Sequence, residues 1–390
     1  MSLAADFFNH PSVKESKFNF SGNWVNPCGT FRNGNFQHII WLGVNGYLII
    51  NHFAPREIIL VDPWPSYRRF NAGRGGRSPF KRLFYLVDWL RKKSGEGYTI
   101  KGIIVSHRHF DHANDVPAVL EMLCAPQNKK YQIKNANKET IFTSPSIAID
   151  DLPIVFADNN SITHIKKKND YKSDILKFSE IVTTDNKSVD YKSIGIDGCP
   201  PCGTALKSFN AGGFGIEPYV WDHMNLTTSE YNILELPGSR QKLSAFNIKW
   251  LNADDAKKTF IIGSAGEMAS GFTTHPIVSP PPLIRTDTLV TSITIPVAPK
   301  YFEQIKDAVN FQTLNIKVSD YIVPTHYEDY FLGPPKPLSK SKGFYKNHSR
   351  VDQYIKELEK LDPVAAKKVI SLKRLRFEYM GIPGPLSMKW

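Results

Sequence analysis

The stretch Ser106-His107-Arg108-His109-Phe110-Asp111-His112 places three histidines and one aspartate within six residues, in a chain that holds only 11 histidines. Imidazole nitrogens and carboxylate oxygens are the donors that a first-row divalent metal takes at about 2.0–2.2 Å. A turn at a strand end can aim several such side chains at one point. His107 and His109, two apart, would then share one metal position, and Asp111 and His112, on the outgoing turn, would face a second. A divalent ion held there would lower the pKa of a coordinated water toward about 7 and polarise a group under attack by it. With a single ion, Asp111 would orient or deprotonate that water.

The elements that must position these residues are legible around them. TIKGIIVSH, residues 99–107, is a short β-branched apolar run and reads as a buried strand ending at Ser106-His107. Residues 57–61, EIILV, form a second strand that ends at Asp62-Pro63. Residues 38–50 read as a β-hairpin, with apolar runs on either side of Asn45-Gly46, the pair favoured in a tight primed turn. Helical spacing of apolar residues marks 80–93, closed by Lys-Lys-Ser-Gly, and DVPAVLEMLC reads as a helix with Pro117 in its first turn. Between the strand at 57–61 and the first helix runs a loop rich in Arg and Gly, from Tyr67 to Arg82.

The stretch from Asn135 to Asp222 is poorly periodic and reads as strands joined by long loops. Three apolar strands follow, YVWDH, AFNIKWL and FIIGSA, then TLVTSITIP, a helix near Tyr301–Phe311, and DYIVPTH. Strands in both halves with helices interspersed make the class α/β with a mixed sheet. The tail from Asp352 to Leu375 reads as an amphipathic basic helix, or a helix pair broken at Pro363.

His107-x-His109-x-Asp111-His112 resembles the signature of the metallo-β-lactamase fold. The resemblance implies a four-layer αβ/βα sandwich of two packed mixed sheets. Its metal site would lie along one edge between strand ends, with hydrolysis by one or two ions, usually zinc, manganese or iron being alternatives. Trp41-Leu42-Gly43 is similar to the family's N-terminal strand, and Asp62 to the aspartate that supports the histidine loop. The resemblance implies that His107, His109 and His223 hold the first ion, and Asp111, His112 and His326 the second. His223 closes Tyr219–His223 at a strand end. Its competitor, His164, sits in the polar THIKKKND with no preceding apolar strand in this reading. His326 follows DYIVPT. His10, His38, His52, His275 and His348 read as ordinary surface or strand histidines, though His275 follows the region of the missing acid.

One departure from the family pattern concerns the second ion. Where the family carries a metal-bridging Asp after a strand-end Gly, this chain has Ser264 after Gly263. A neutral hydroxyl bridges poorly, so the second ion should bind more weakly or be absent, and Ser264 would hydrogen-bond the water. Gly263-Ser264-Ala265-Gly266, the closing His326-Tyr327-Glu328-Asp329-Tyr330-Phe331 and HFDHANDVPAVLE together resemble a branch described only as metallo-β-lactamase-fold hydrolases. Asp329 would be a supporting carboxylate there, or a partial replacement for the bridge. The likeness spans about residues 36–338. It leaves 1–35 as an N-terminal extension and 339–390 as a basic helical extension packed on or beside the main domain.

Composition bounds the rest. The chain has 390 residues, 41% hydrophobic and 12% aromatic, which excludes wholesale disorder. The formal charge is +12, and residues 336–390 carry 13 Lys and Arg against 5 Asp and Glu, so most of the excess lies in the tail. No apolar run is long enough to cross a membrane and no secretory pattern is visible at the N-terminus, which makes the cytoplasm the expected compartment. Cys199 and Cys202 form Cys-Pro-Pro-Cys without a second pair to complete a zinc site, and read as a loop thiol pair.

The expected activity is metal-dependent hydrolysis of a small or lipid-like ester, lactone or phosphodiester. A nuclease acting on RNA or DNA is the second reading, favoured by the charge and by Arg68, Arg69, Arg74 and Arg77. Against it stands the lack of aromatic-basic interleaving. A non-enzymatic metal-binding protein with a degraded second site is the third.

Overall fold

The computed structural model describes residues 25–26, 30–33, 37–43, 45–65, 81–108, 110–123, 132–134, 140–143, 152–167, 189–195, 203–222, 242–254, 256–262, 283–292, 309, 313, 315–325 and 354–369. They fall into two compact units. The first runs to Ser193 and includes Ala211–Gly213, and the second takes Ile194–Asn210 and the described residues from Phe214 on. Each is built on its own mixed sheet, as the α/β class requires.

The first unit holds strands β1 (Val25–Asn26), β2 (Thr30–Asn33), β3 (Gln37–Gly43), β4 (Gly46–Asn51), β5 (Glu57–Val61), β6 (Thr99–Ile104), β9 (Ile154–Ala157) and β10 (Tyr191–Ser193), which form one eight-stranded sheet in that order. A separate two-stranded sheet pairs β7 (Gln132–Lys134) with β8 (Thr140–Thr143). The β3–β4 hairpin turns at Asn45-Gly46, with Gly43 opposite Gly46 and Trp41 opposite Tyr47. β1 to β5 run antiparallel in sequence, whereas β5, β6, β9 and β10 are mutually parallel.

Helices α1 (Lys81–Gly95), α2 (Phe110–Ala113), α3 (Val116–Leu123) and α4 (Asn159–Lys167) supply the parallel connections. Alternate residues Ile40, Leu42, Leu48, Ile50, Ile58 and Leu60 pack in one core with Leu83, Leu86, Leu90, Val119 and Ile162 of the helices. The other alternation, Ile39, Trp41, Tyr47, Ile49, Ile59 and Val61, is equally buried. Burial on both faces is why these strands read as unbroken apolar runs rather than as alternating ones.

α1 starts at Lys81, within the helix expected over 80–93, and runs through Gly95, two residues past the last residue of that span. Gly97, at φ +85°, ends it. The Tyr98 amide donates to the Lys93 carbonyl at 3.0 Å and the Gly97 amide to that of Ser94 at 2.9 Å, a Schellman closure that needs a left-handed residue. The stop is therefore Gly97, not Gly95.

The second unit is a six-stranded sheet in sequential order: β11 (Phe209–Ala211), β12 (Phe214–Asp222), β13 (Lys242–Trp250), β14 (Thr259–Ile262), β15 (Ile284–Ser292) and β16 (Ile316–Thr325). β12, β13 and β14 are antiparallel, and β14, β15 and β16 parallel. Edge-to-face ring pairs lock the middle of the sheet, Phe214 on Trp250 at 5.0 Å and Tyr219 on Phe260 at 5.5 Å. Burial raises the Tyr219 phenol pKa, and the charge of Glu217 and a hydrogen bond to it add to the rise.

Residues 354–361 are helical, and a second short helix, Pro363–Ala366, follows Asp362, whose carboxylate accepts from the Ala365 amide at 2.8 Å. This is the break expected at Pro363. The chain then meets β16, where Ile322 donates its amide to the Lys368 carbonyl at 2.9 Å and pairs with Val369.

Of the Arg- and Gly-rich loop expected from Tyr67 to Arg82, residues 67–80 lie outside the described residues and the last two belong to α1; all four cysteines and most of the helix expected near 301–311 also lie outside them. No helix among the described residues is long and apolar enough to cross a membrane.

Leu60 is fully buried at the centre of the larger sheet. Leu60→Ala should cost about 2–5 kcal/mol, read as a lower midpoint in urea unfolding. Lys356→Ala, on the exposed side of the 354–361 helix, should stay within about 0.5 kcal/mol of the parent.

Candidate metal centre

β5 and β6 are parallel neighbours, paired through Val61 and Ile104. Their C-terminal ends therefore lie side by side, where open α/β sheets carry their ligand sites. The chain leaves β5 at Asp62 and β6 at Val105-Ser106-His107. Asp62 takes φ +43°, a left-handed conformation that Asp adopts more readily than most residues. Its amide donates to the Ile104 carbonyl at 2.9 Å, so the turn stays tied to β6. Val105 donates to the Phe156 carbonyl at 2.9 Å, tying the histidine loop to β9.

Asp62 is fully buried and surrounded by donors. Its Oδ1 accepts from the Ser106 amide at 2.7 Å. Its Oδ2 accepts from Ser106 Oγ at 2.6 Å and from His112 Nδ1 at 2.8 Å. A longer contact at 3.4 Å comes from Asn45 Nδ2, and Tyr47 Oη donates to Asn45 Oδ1 at 3.2 Å. Ser106 Oγ also lies 3.0 Å from His107 Nδ1. His107 and His112 are buried, with ring centroids 4.1 Å apart at an angle of 46°. A carboxylate only accepts, so His112 carries a hydrogen on Nδ1, and in the neutral ring its lone pair lies on Nε2, an assignment made from the hydrogen-bond network. A supporting carboxylate on the far nitrogen of an imidazole is the usual way a metal-binding histidine is oriented.

The expected site residues divide cleanly. Asp62, His107 and His112 come together at one strand edge, with the Asp62 carboxylate bonded to His112. Asp111 lies on α2, its side chain outside the described residues, and His109, His223, Ser264, His275, His326 and Asp329 lie outside them altogether. Among the described residues no three His, Cys, Asp or Glu side chains gather as a metal-binding cluster.

The second unit does order the strands that lead to the later candidates. β12 ends at Asp222 opposite Lys242, β14 at Ile262 opposite Ala245 and Thr291, and β16 at Thr325 opposite Ser292. All three strands finish at the same edge of their sheet. In sequence, His223, Ser264 and His326 follow those ends by one, two and one residues.

His164 needs a correction. The sequence reading gave it no preceding apolar strand, yet the buried β9, Ile154–Ala157, leads directly into the helix α4 that carries it. The strand is four residues long, too short to stand out by periodicity. Asp158 caps α4 through the amides of Asn160 and Ser161, at 2.8 and 3.0 Å. His164 Nε2 is bonded to Asn114 Oδ1 at 3.2 Å, which ties α4 to the turn after α2. His52, read as an ordinary histidine, contacts Tyr98 Oη through Nδ1 at 3.3 Å.

Three residues with a part in this arrangement escaped the sequence reading. Ser106 was only the last residue of a strand, Asn45 only a turn former, and Tyr47 only a strand residue. The available signal for Ser106 was its position immediately before His107. Nothing local marks Asn45 and Tyr47 as neighbours of Asp62, 17 residues from Asn45 in the chain.

No known family and no curated protein matches the sequence. Among solved structures the chain has a likeness to a possible metal-dependent hydrolase from Veillonella parvula DSM 2008. Identity is 13% and the TM-score 0.39, over 87% of this chain and 97% of that one. Unliganded yeast PDE1 is 10% identical at a TM-score of 0.37, over 80% and 74% of the two chains. Isothiocyanate hydrolase from Delia radicum gut bacteria is 12% identical at 0.35, over 83% and 92%. Likenesses this distant carry no argument here.

Asp62→Ala would leave the Ser106 amide, the Ser106 hydroxyl and His112 Nδ1 without their shared acceptor. Each buried donor so orphaned costs about 1–3 kcal/mol, so a loss of at least about 3 kcal/mol is expected in chemical unfolding. Asn45→Ala, which removes the 3.4 Å contact to Asp62 and the acceptor of Tyr47 Oη but leaves the three shorter bonds to the carboxylate in place, should cost less.

Proposed function

We propose that the chain is a metal-dependent hydrolase acting on an ester, lactone or phosphodiester of small-molecule or lipid-like type, with zinc as the ion. The observation that supports this best is the buried Asp62, which holds the Nδ1 edge of His112 beside the ring of His107 at the ends of two parallel strands. Two adjacent buried imidazoles, one backed by a carboxylate, suit a borderline-soft ion, and a nitrogen-oxygen donor set of this kind is the ordinary choice of zinc. When bound, such an ion would supply an ionised water at neutral pH and polarise the group attacked.

In this reading His107, His109 and His223 hold the first ion. Asp111, His112 and His326 hold a second, more weakly, because Ser264 stands where a bridging carboxylate would be. Asp111 accepts the proton of the attacking water or orients it, and Ser264 hydrogen-bonds that water. Asp62 keeps His112 in one tautomer throughout. Asp329 supports the site from the segment after β16.

Elemental analysis of the purified protein should find at least one tightly held transition metal, and the double variant His107→Ala with His109→Ala should lose most of it. Normal metal content in that variant would sink the assignment. Ser264→Asp should raise occupancy of the second position. Against a panel of esters, lactones and phosphodiesters with added zinc or manganese, turnover should fall at least a hundredfold, about 2.7 kcal/mol, in His109→Ala.

A further inference from the structure

We propose that Ser106 is a positioning residue that sets the tautomer of His107, so that Asp62 governs both buried imidazoles, one directly and the other through a single hydroxyl. The consequence for metal binding rests on the reading above, but the tautomer itself does not.

Proton counting carries the inference. A serine hydroxyl has one proton to donate and two lone pairs to accept with. Ser106 Oγ lies 2.6 Å from Asp62 Oδ2, and a carboxylate oxygen cannot donate, so the hydroxyl proton lies on that line. Toward His107 Nδ1, at 3.0 Å, Ser106 Oγ is then an acceptor, and Nδ1 must carry the hydrogen. The lone pair of His107 is thereby placed on Nε2. Nδ1 of His112 is 3.4 Å from the same hydroxyl but 2.8 Å from Asp62 Oδ2, so it bonds the carboxylate and leaves the hydroxyl to His107.

The backbone of Ser106 is held beside the same carboxylate. The Ser106 amide is held at 2.7 Å by the other oxygen of the same carboxylate. Asp62, Ser106 and His107 are fully buried and His112 is 1% exposed, so bulk water does not compete for these bonds. One carboxylate thus presets two Nε2 lone pairs before any ion arrives. An imidazole that must first exchange its proton between nitrogens would bind an ion less tightly. Loss of an outer partner of this kind costs roughly 10–100-fold in affinity.

The test reads the tautomer directly. In metal-free, full-length protein labelled with ¹⁵N-histidine, long-range ¹H–¹⁵N correlations at about pH 8.5, some two units above the ordinary histidine pKa, distinguish protonated from bare ring nitrogens. His107→Gln and His112→Gln assign the signals. The expected result is Nδ1–H for both His107 and His112. In Ser106→Ala, His107 should gain the Nε2–H form while His112 stays as it was. Ser106→Thr, which keeps the hydroxyl, should restore the parent pattern.

A His107 that is already Nε2–H in the parent protein overturns the proposal even if Ser106→Ala does not fold. So does a His107 unchanged in a folded Ser106→Ala. Zinc affinity, measured by competition with a chromophoric chelator, should fall about 10–100-fold in Ser106→Ala and recover in Ser106→Thr. A parent protein with the expected tautomers but no zinc affinity would end the metal reading and leave the role of Ser106 standing. Zinc binding with a different tautomer would do the reverse.

Discussion

The carboxylate of Asp62 is the interaction on which the candidate site depends. It is fully buried, and a buried carboxylate is tolerable only when donors surround it. Here the donors are two atoms of Ser106, one of His112 and, at longer range, one of Asn45. All but Asn45 belong to the histidine loop itself. The same constraint that makes the carboxylate affordable in a dry interior therefore fixes the imidazoles, and the positive φ at Asp62 shows the backbone bending to bring it there.

That convergence is possible only because of strand order. β5 and β6 lie side by side and parallel, so residues 44 positions apart meet at one sheet end. β9 joins on the other side of β6 and starts the helix that carries His164. Apolar packing on both faces of these strands keeps them from sliding, and a sheet that cannot slide holds its loop ends in register. The second sheet follows the same logic in its own unit. Two antiparallel steps, from β12 through β13 to β14, and parallel steps onward bring the ends of β12, β14 and β16 to one edge.

Much of this was readable in advance. The β3–β4 hairpin follows from Asn45-Gly46 between apolar runs, and β5 and β6 from short β-branched stretches that lead into Asp62 and His107. β12 to β16 were each visible as apolar runs. The misreadings share a cause. β9 is four residues of Ile-Val-Phe-Ala, and β10 and β11 are three residues each, lengths over which periodicity has no statistical content. The left-handed residue that closes α1 is Gly97 rather than Gly95, and only the hydrogen bonds to Ser94 and Lys93 reveal which glycine takes that turn.

Residue types and their spacing determined by themselves that the loop after β6 is rich in metal donors, that an acid ends β5, and that the chain alternates strands and helices in an α/β pattern. These are local properties, carried by residues adjacent in the chain. Only the tertiary structure decided that Asp62 meets Ser106 and His112, that Asn45 and Tyr47 stand behind it, and that His164 is engaged with Asn114. Those are pairings across 17 to 50 positions, and they depend on which strands lie next to which. A single sequence encodes that order only through the summed burial of every strand at once, and no short stretch of it carries the answer.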